Sequence, residues 1–205
     1  MSFQWVIDNA SGITFDMRGM VGTTQTRDGV TRTVSRGGQP WRFTVLPPTG
    51  PRWEDYRRSI AEAQRLDRHT QDTIDFSSAD LSWMFQYQGD LTAFNSLISS
   101  YTAGYSTANI TGGVGGSPFR FRAGDLIQLG NYVYMVVQDC PGGQTQVKLH
   151  RPLVESGSVS YASGQLKIGA DCEFRVKATT LPVPNVFARN QVGWDEPFVF
   201  TEVIE

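Results

Sequence analysis

Short hydrophobic runs punctuated by turn residues make up most of this chain. Residues 3–8 (FQWVID) and 12–17 (GITFDM) are aromatic and β-branched, with the turn formers NASG between them, and read as strands. In residues 30–35, Val30, Arg32 and Val34 alternate with Thr31, Thr33 and Ser35. In residues 41–46, Trp41, Phe43 and Val45 alternate with Arg42, Thr44 and Leu46. Period two with one mainly apolar set predicts half-buried antiparallel strands. Pro47-Pro48 and Gly50-Pro51 end this pattern, and from Arg52 the period becomes helical. Trp53, Tyr56, Ile60, Ala63 and Leu66 fall on one stripe, with Glu54 and Arg58 four apart on the other side. One helix of about four turns is expected here, its aromatic face against the preceding sheet.

Residues 81–90 (LSWMFQYQGD) read as a strand ending at Gly89, and residues 91–101 (LTAFNSLISSY) fit a strand or a short helix equally. Residues 102–118 (TAGYSTANITGGVGGSP) are rich in Gly, Ser and Thr and read as a loop or hinge. The best-marked hairpin follows: DLIQL, then Gly130-Asn131, then YVYMVVQD, where a Gly at the first turn position accepts positive φ. Residues 140–144 (CPGGQ) make a second turn and residues 145–153 (TQVKLHRPL) a third strand. Residues 157–169 (GSVSYASGQLKIG) add one or two more around a Ser-Gly turn. Such closely spaced strands predict a small antiparallel barrel or sandwich. Near the end, Phe174 and Val176 alternate with Arg175 and Lys177, and Phe198, Phe200 and Glu202 with Val199, Thr201 and Val203. No repeat of fixed period occurs.

Composition narrows the class. A chain of 205 residues, 40% apolar and 19% charged, is long enough for one large or two small folded domains. With 21 Gly, 10 Pro and 12% aromatics it favours β structure. A net charge of −2 gives no field toward nucleic acid, so no sequence-specific nucleic-acid partner is expected. No apolar run approaches the roughly 20 residues that span a bilayer, and the N-terminus lacks the pattern of a secretory signal. The chain is therefore expected to fold in a cytoplasm, without a membrane partner.

Candidate chemistry is sparse. Cys140 and Cys172 read as small buried hydrophobes. His69, just past the helix, reads as a surface cation. A Cys140–His150 nucleophile pair is conceivable but lacks an orienting partner. Asp67, Asp72, Asp75 and Asp80 are better solvated loop charges than a calcium loop. The Gly-rich TGGVGGSP and SRGGQP lack the Lys-Ser/Thr of a phosphate loop. No pair of carboxylates suggests glycoside cleavage. The expectation is a protein that is not an enzyme, with no catalytic residue, metal ligand or cofactor.

The order of signals resembles a family. AGDLIQLGNYVYMV, through Gly124, Asp125, Gly130 and Tyr134, and CEFRV (residues 172–176) resemble distal tail (baseplate hub) proteins at the tail tip of long-tailed bacteriophages. The resemblance covers most of the chain, except residues 91–118. It implies a mainly β fold: a β-sandwich with one packed α-helix, carrying an inserted small antiparallel β-barrel or sandwich. Residues 1–90, completed by 171–205, would form the sandwich and residues 91–170 the insertion. The Gly-rich stretch before Phe119 and KIGAD (residues 167–171) would be the crossings. The resemblance also implies a structural component of the virion tail tip, assembling as a symmetric, hexameric ring. That ring would join the tail tube to the baseplate or receptor-binding apparatus, with tube and hub or fibre proteins as partners and host attachment as the setting.

Charge asymmetry suits a head-to-tail ring. Arg18, Arg27, Arg32, Arg36, Arg42 and Arg52 face a single acid, Asp28, in their part of the chain. The last eleven residues carry Asp195, Glu196, Glu202 and Glu205 with no base. Arg27, Arg32 and Arg36 on one subunit meeting Glu196, Glu202 and Glu205 on the next would set register; the alternative is that both segments face each other within one subunit or are simply solvated. Tyr132 and Tyr134 share one face of the hairpin, which is either the small domain's own core face or, with Tyr161, a docking or sugar-stacking surface. The latter defines the alternative function, a carbohydrate-binding module for host-surface glycans.

Overall fold

The computed structural model describes residues 3–19, 21–35, 38–48, 50–66, 70–78, 80–90, 97–112 and 119–205. The chain divides into two compact units: Ser2–Asp72 with Val176–Glu205, here the N/C unit, and Thr73–Arg175, the middle unit. In chain order the elements are α1 (Gln4–Asp8), β1 (Gly12–Asp16), β2 (Val21–Gln25), β3 (Thr31–Ser35), β4 (Arg42–Leu46), α2 (Trp53–Leu66) and β5 (Asp72–Ile74). The middle unit continues with a 3-10 turn at Ser82–Phe85, β6 (Ile98–Tyr101), β7 (Thr107–Thr111), β8 (Phe119–Phe121), β9 (Leu126–Leu129) and β10 (Tyr132–Met135). It ends with β11 (Cys140–Pro141), β12 (Gln146–Lys148), β13 (Gly157–Ser160), β14 (Lys167–Ile168) and a 3-10 turn at Gly169–Asp171. The return consists of β15 (Phe174–Thr180), β16 (Pro184–Phe187), β17 (Gln191–Trp194) and β18 (Phe198–Glu202). The fold is mainly β, with several antiparallel sheets and one main helix.

A five-stranded sheet in the order β1-β4-β18-β15-β5 organises the N/C unit. The alternation read from residues 41–46 is realised: Trp41, Phe43 and Val45 are fully buried, and Trp41 and Phe43 stack at 6.0 Å. Phe198 and Phe200 of β18 join them, with Phe3 5.1 Å from Phe200. Residues 3–8 form a helix rather than the expected strand. Phe3, Val6 and Ile7 are all fully buried, and that i, i+3, i+4 spacing fills one helical face. Helix α2 starts where expected and buries Ile60 and Ala63. Its Tyr56 meets α1 rather than the sheet, with the ring 5.8 Å from Trp5 and its hydroxyl donating to Asn9 Oδ1 at 2.8 Å.

The middle unit builds its core from small sheets: β10-β9-β14, β11-β8 and β12-β7-β6-β13. The 130–131 hairpin forms in the expected register, Tyr132 opposite Leu129, and Gly130 has φ +62°. The strand after it behaves differently from expectation. β12 pairs with β7, and the third strand of the hairpin sheet is β14. β7 also corrects the reading of residues 102–118 as pure loop: Ala108 and Ile110 alternate inward between half-buried Thr107 and exposed Asn109 and Thr111. Of that stretch, residues 113–118 lie outside the described residues, as do residues 91–96 before it. Residues 82–85 form the 3-10 turn and not a strand. Leu81 and Ser82 both donate to Ser78 O, and Met84 donates to Leu81 O at 3.0 Å.

The chain passes between units at 72/73 and 175/176, within β5 and β15, and not at the Gly-rich stretch or residues 167–171. Residues 73–90 and 171–175 thus go with the middle unit. A trio of rings accounts for this: Phe76 lies 5.0 Å from Phe85 and 5.8 Å from Phe174.

The motif AGD has a mechanical reading. Gly124 adopts φ +100° and donates to Val136 O at 2.8 Å. Asp125, 2% exposed, accepts the backbone N–H of Arg122 at 2.6 Å and of Gln88 at 2.9 Å. Burial pushes its carboxyl pKa up, against the lowering effect of those two donors. Replacing Gly130 tests the turn: an added Cβ would sit at positive φ and collide with the carboxylate of Glu155, which accepts Asn131 N–H at 2.7 Å. Gly130→Ala is expected to lower stability by about 2 kcal/mol in urea unfolding.

Candidate functional site

Two hairpins of the N/C unit stand apart from its sheet. In β2–β3, Thr23 faces Thr33 and Gln25 faces Thr31. The turn closes with Thr26 N–H and its hydroxyl both donating to Val30 O, and Gly29 has φ +78°. Every side chain described from 23 to 32 is exposed, Arg27 and Arg32 among them, and Val30 is 55% exposed. Arg36 lies outside the described residues. The described part of the ribbon, residues 23–32, thus exposes both faces, an arrangement that is marginal in water.

The second hairpin, β16–β17, turns through Arg189 and Asn190, both at positive φ. Its β17 side is tied down: Trp53 N–H donates to Asn190 O at 3.0 Å and Val192 N–H to Pro51 O at 2.9 Å. Its other strand presents apolar surface. Val183, Val186 and Phe187 are 72%, 55% and 56% exposed, a concentration unusual for residue types that favour interiors. Asp195, just past the hairpin, accepts from Asn185 Nδ2 at 2.8 Å, and both Asp195 and Glu196 are exposed. One surface element thus carries apolar residues beside Asp195 and Glu196, with exposed Arg189 at its turn, while another carries Arg27 and Arg32 with exposed Asp28 beside Arg27.

The remaining acids sit otherwise. Glu205 is exposed and accepts from Gln71 Nε2 at 2.6 Å. Glu202 is 6% exposed and belongs to the fold: its Oε2 accepts Trp41 N–H at 3.1 Å, and its own N–H donates to Trp41 O at 2.8 Å. It closes the end of the β4–β18 pairing from inside, which removes it from any contact surface. Its place on the buried set of β18, opposite the period-two rule for acids, signals this role in the sequence itself.

The tyrosines of the β9–β10 hairpin face inward. Tyr132 is 5% exposed and Tyr134 fully buried, which corrects their reading as a docking or sugar-stacking surface. Tyr134 accepts Val154 N–H at 3.0 Å, and Arg151 stacks over its ring at 5.0 Å. Tyr161 is half-buried and packs on the same core. Exposed aromatic surface lies elsewhere, at Trp83, 71% exposed. It was hidden within an apolar run that reads as a strand.

The Cys140–His150 idea fails on chemistry. Both thiols are buried, and burial raises their pKa, so neither forms a thiolate readily. His150 Nδ1 accepts Met135 N–H at 3.0 Å, and burial followed by the nearby Arg151 charge drives its pKa down to about 4. His69, Asp67 and Arg68 lie outside the described residues. Asp72 accepts Phe3 N–H across 69 residues of sequence, and Asp75 accepts from the N–H and hydroxyl of Ser77, so both serve the fold. Among the described residues no three His, Cys, Asp or Glu side chains gather as metal ligands.

His150 supplies a pH prediction. Its folded pKa lies below the ordinary 6.5, so the unfolded chain takes up the extra proton first as pH falls. Stability is full above pH 6.5 and is lost between 6.5 and about 4, on the order of 2–3 kcal/mol. His150→Gln should flatten that part of the curve in pH-dependent unfolding. Glu202→Ala strands Trp41 N–H and is expected to lower stability by about 1–3 kcal/mol, with Glu202→Gln retaining most of it, as read in urea unfolding. No protein-family model and no curated protein matches this chain.

Proposed function

We propose that this chain works by geometry, as a structural component that assembles with copies of itself into a closed ring. The observation that carries the reading is the pair of exposed hairpins. Val183, Val186 and Phe187 offer apolar area beside Asp195 and Glu196, and Arg27 and Arg32 stand on a separate ribbon exposed on both faces. Two unlike surfaces on one subunit, one apolar with a net negative charge from Asp195, Glu196 and Arg189 and one polar with a net positive charge from Arg27, Arg32 and Asp28, suit a head-to-tail contact, which closes when the rotation per subunit divides a full turn. The opposite charges steer and register the encounter, while the desolvated apolar residues carry the affinity.

The resemblance of AGDLIQLGNYVYMV and CEFRV to distal tail proteins supports placing the ring at a bacteriophage tail tip. On this reading it has six copies and joins the tail tube to the baseplate or receptor-binding proteins. The roles of Gly124, Asp125, Gly130 and Tyr134 as turn, backbone clasp and core side chain fit a motif that serves rigidity.

Sedimentation and native mass spectrometry of the purified chain test this. The expected result is a closed oligomer, with association at least about tenfold weaker in Arg27→Glu/Arg32→Glu and in Phe187→Asp. The unfolding midpoint of the monomer should stay unchanged in both. A chain that remains monomeric at high concentration, or variants with unaltered oligomer mass, would overturn the proposal.

A further inference from the structure

The middle unit holds a cleft of about 410 Å³ that the assembly reading leaves without a role. Its lining includes Trp83, Tyr87, Tyr161, Ser82, Gln86 and Asp171, and its volume lies in the range of small-molecule sites. The two 3-10 turns build it. Gly169, buried and at φ +65°, lets them approach closely, since an added Cβ would lie 2.8 Å from Phe85 O and 3.1 Å from Tyr87 N. That contact sets Asp171, at the end of one turn, beside the turn that carries Trp83.

Trp83 is the unusual member. It is 71% exposed, yet its indole Nε1–H is already satisfied by Asp80 O at 2.9 Å. The polar handle is spent within its own turn, so the surface it presents is the π system. The same cleft is lined by a carboxylate, an amide and a hydroxyl, those of Asp171, Gln86 and Ser82. A pyranose matches both halves of this lining. Its apolar C–H face, with slightly positive hydrogens, lies against the negative face of an aromatic ring, and its hydroxyls pair with flanking polar groups.

A methylated ammonium would instead need several rings enclosing one charge. Tyr87 and Tyr161 also line the cleft, but both are half-buried on the core, Tyr87 with its hydroxyl donating to Arg120 O and its ring edge-on to Phe121 at 5.8 Å, so Trp83 is the one ring of the lining that is mostly exposed. We propose that this cleft binds a pyranose sugar through stacking on Trp83, with Asp171 and Gln86 receiving its hydroxyls. This inference does not depend on ring formation.

Saturation-transfer NMR on the full chain tests it, with the methyl glycosides of glucose, galactose, mannose and N-acetylglucosamine as probes and tetramethylammonium as the cation control. Transfer to the ring protons of at least one glycoside is expected. Trp83→Ala should weaken it about tenfold, Asp171→Ala should weaken it measurably, and Tyr105→Ala, which removes another exposed aromatic, should leave it intact. Because Trp83 and Asp171 are both exposed, their variants should unfold at the wild-type midpoint, which separates lost binding from lost folding. No transfer to any of the four sugars, transfer that survives Trp83→Ala, or transfer to tetramethylammonium alone would overturn the proposal.

Discussion

Backbone hydrogen bonds satisfy a β-ribbon along its length, but only burial of a face gives it a reason to stay in one place. That constraint divides the N/C unit. Its five-stranded sheet satisfies the requirement internally, with Trp41, Phe43, Phe198 and Phe200 closing over one face. The hairpin β16–β17 satisfies it on one strand only, through Val192 and Trp194, and leaves Val186 and Phe187 outward, while every described side chain from 23 to 32 of β2–β3 is exposed. In the middle unit the same requirement is met by inward tyrosines and by Asp125, whose carboxylate collects backbone donors from two separate segments.

Much of this was legible in residue order. The period-two set Trp41, Phe43, Val45, the α2 stripe and the Gly130 turn follow from local rules that the tertiary structure leaves alone. The failures have a common cause. Residues 3–8 and 81–85 are short apolar runs, where strand and helical turn bury similar residue types, and only the partner surface decides. β7 was missed because Thr, Ala and Asn carry little hydrophobic signal, and its place inside the β12-β7-β6-β13 sheet comes from pairing partners distant in sequence. The same limit applied to surfaces. Tyr132 and Tyr134 share a face on paper, but which face meets solvent is a tertiary fact, and Glu202 looked like surface charge until Trp41 N–H claimed it.

The two proposed roles use different physics and separate parts of the chain. Self-assembly draws on exposed apolar residues with charges of opposite sign at distinct places. Sugar holding draws on one ring whose polar atom is already engaged. Neither needs a group with unusual reactivity, and the buried thiols and low-pKa imidazole sit where chemistry with solvent is hindered.

β5 and β15 are neighbours in a single sheet, so the polypeptide leaves for the middle unit and comes back through adjoining rungs. The entropic penalty of joining two such rungs grows only logarithmically with the length of what lies between them. Insertions in the surface loops between those two rungs are therefore tolerated with little entropic cost, since the length of the intervening chain weighs lightly on closing the pair.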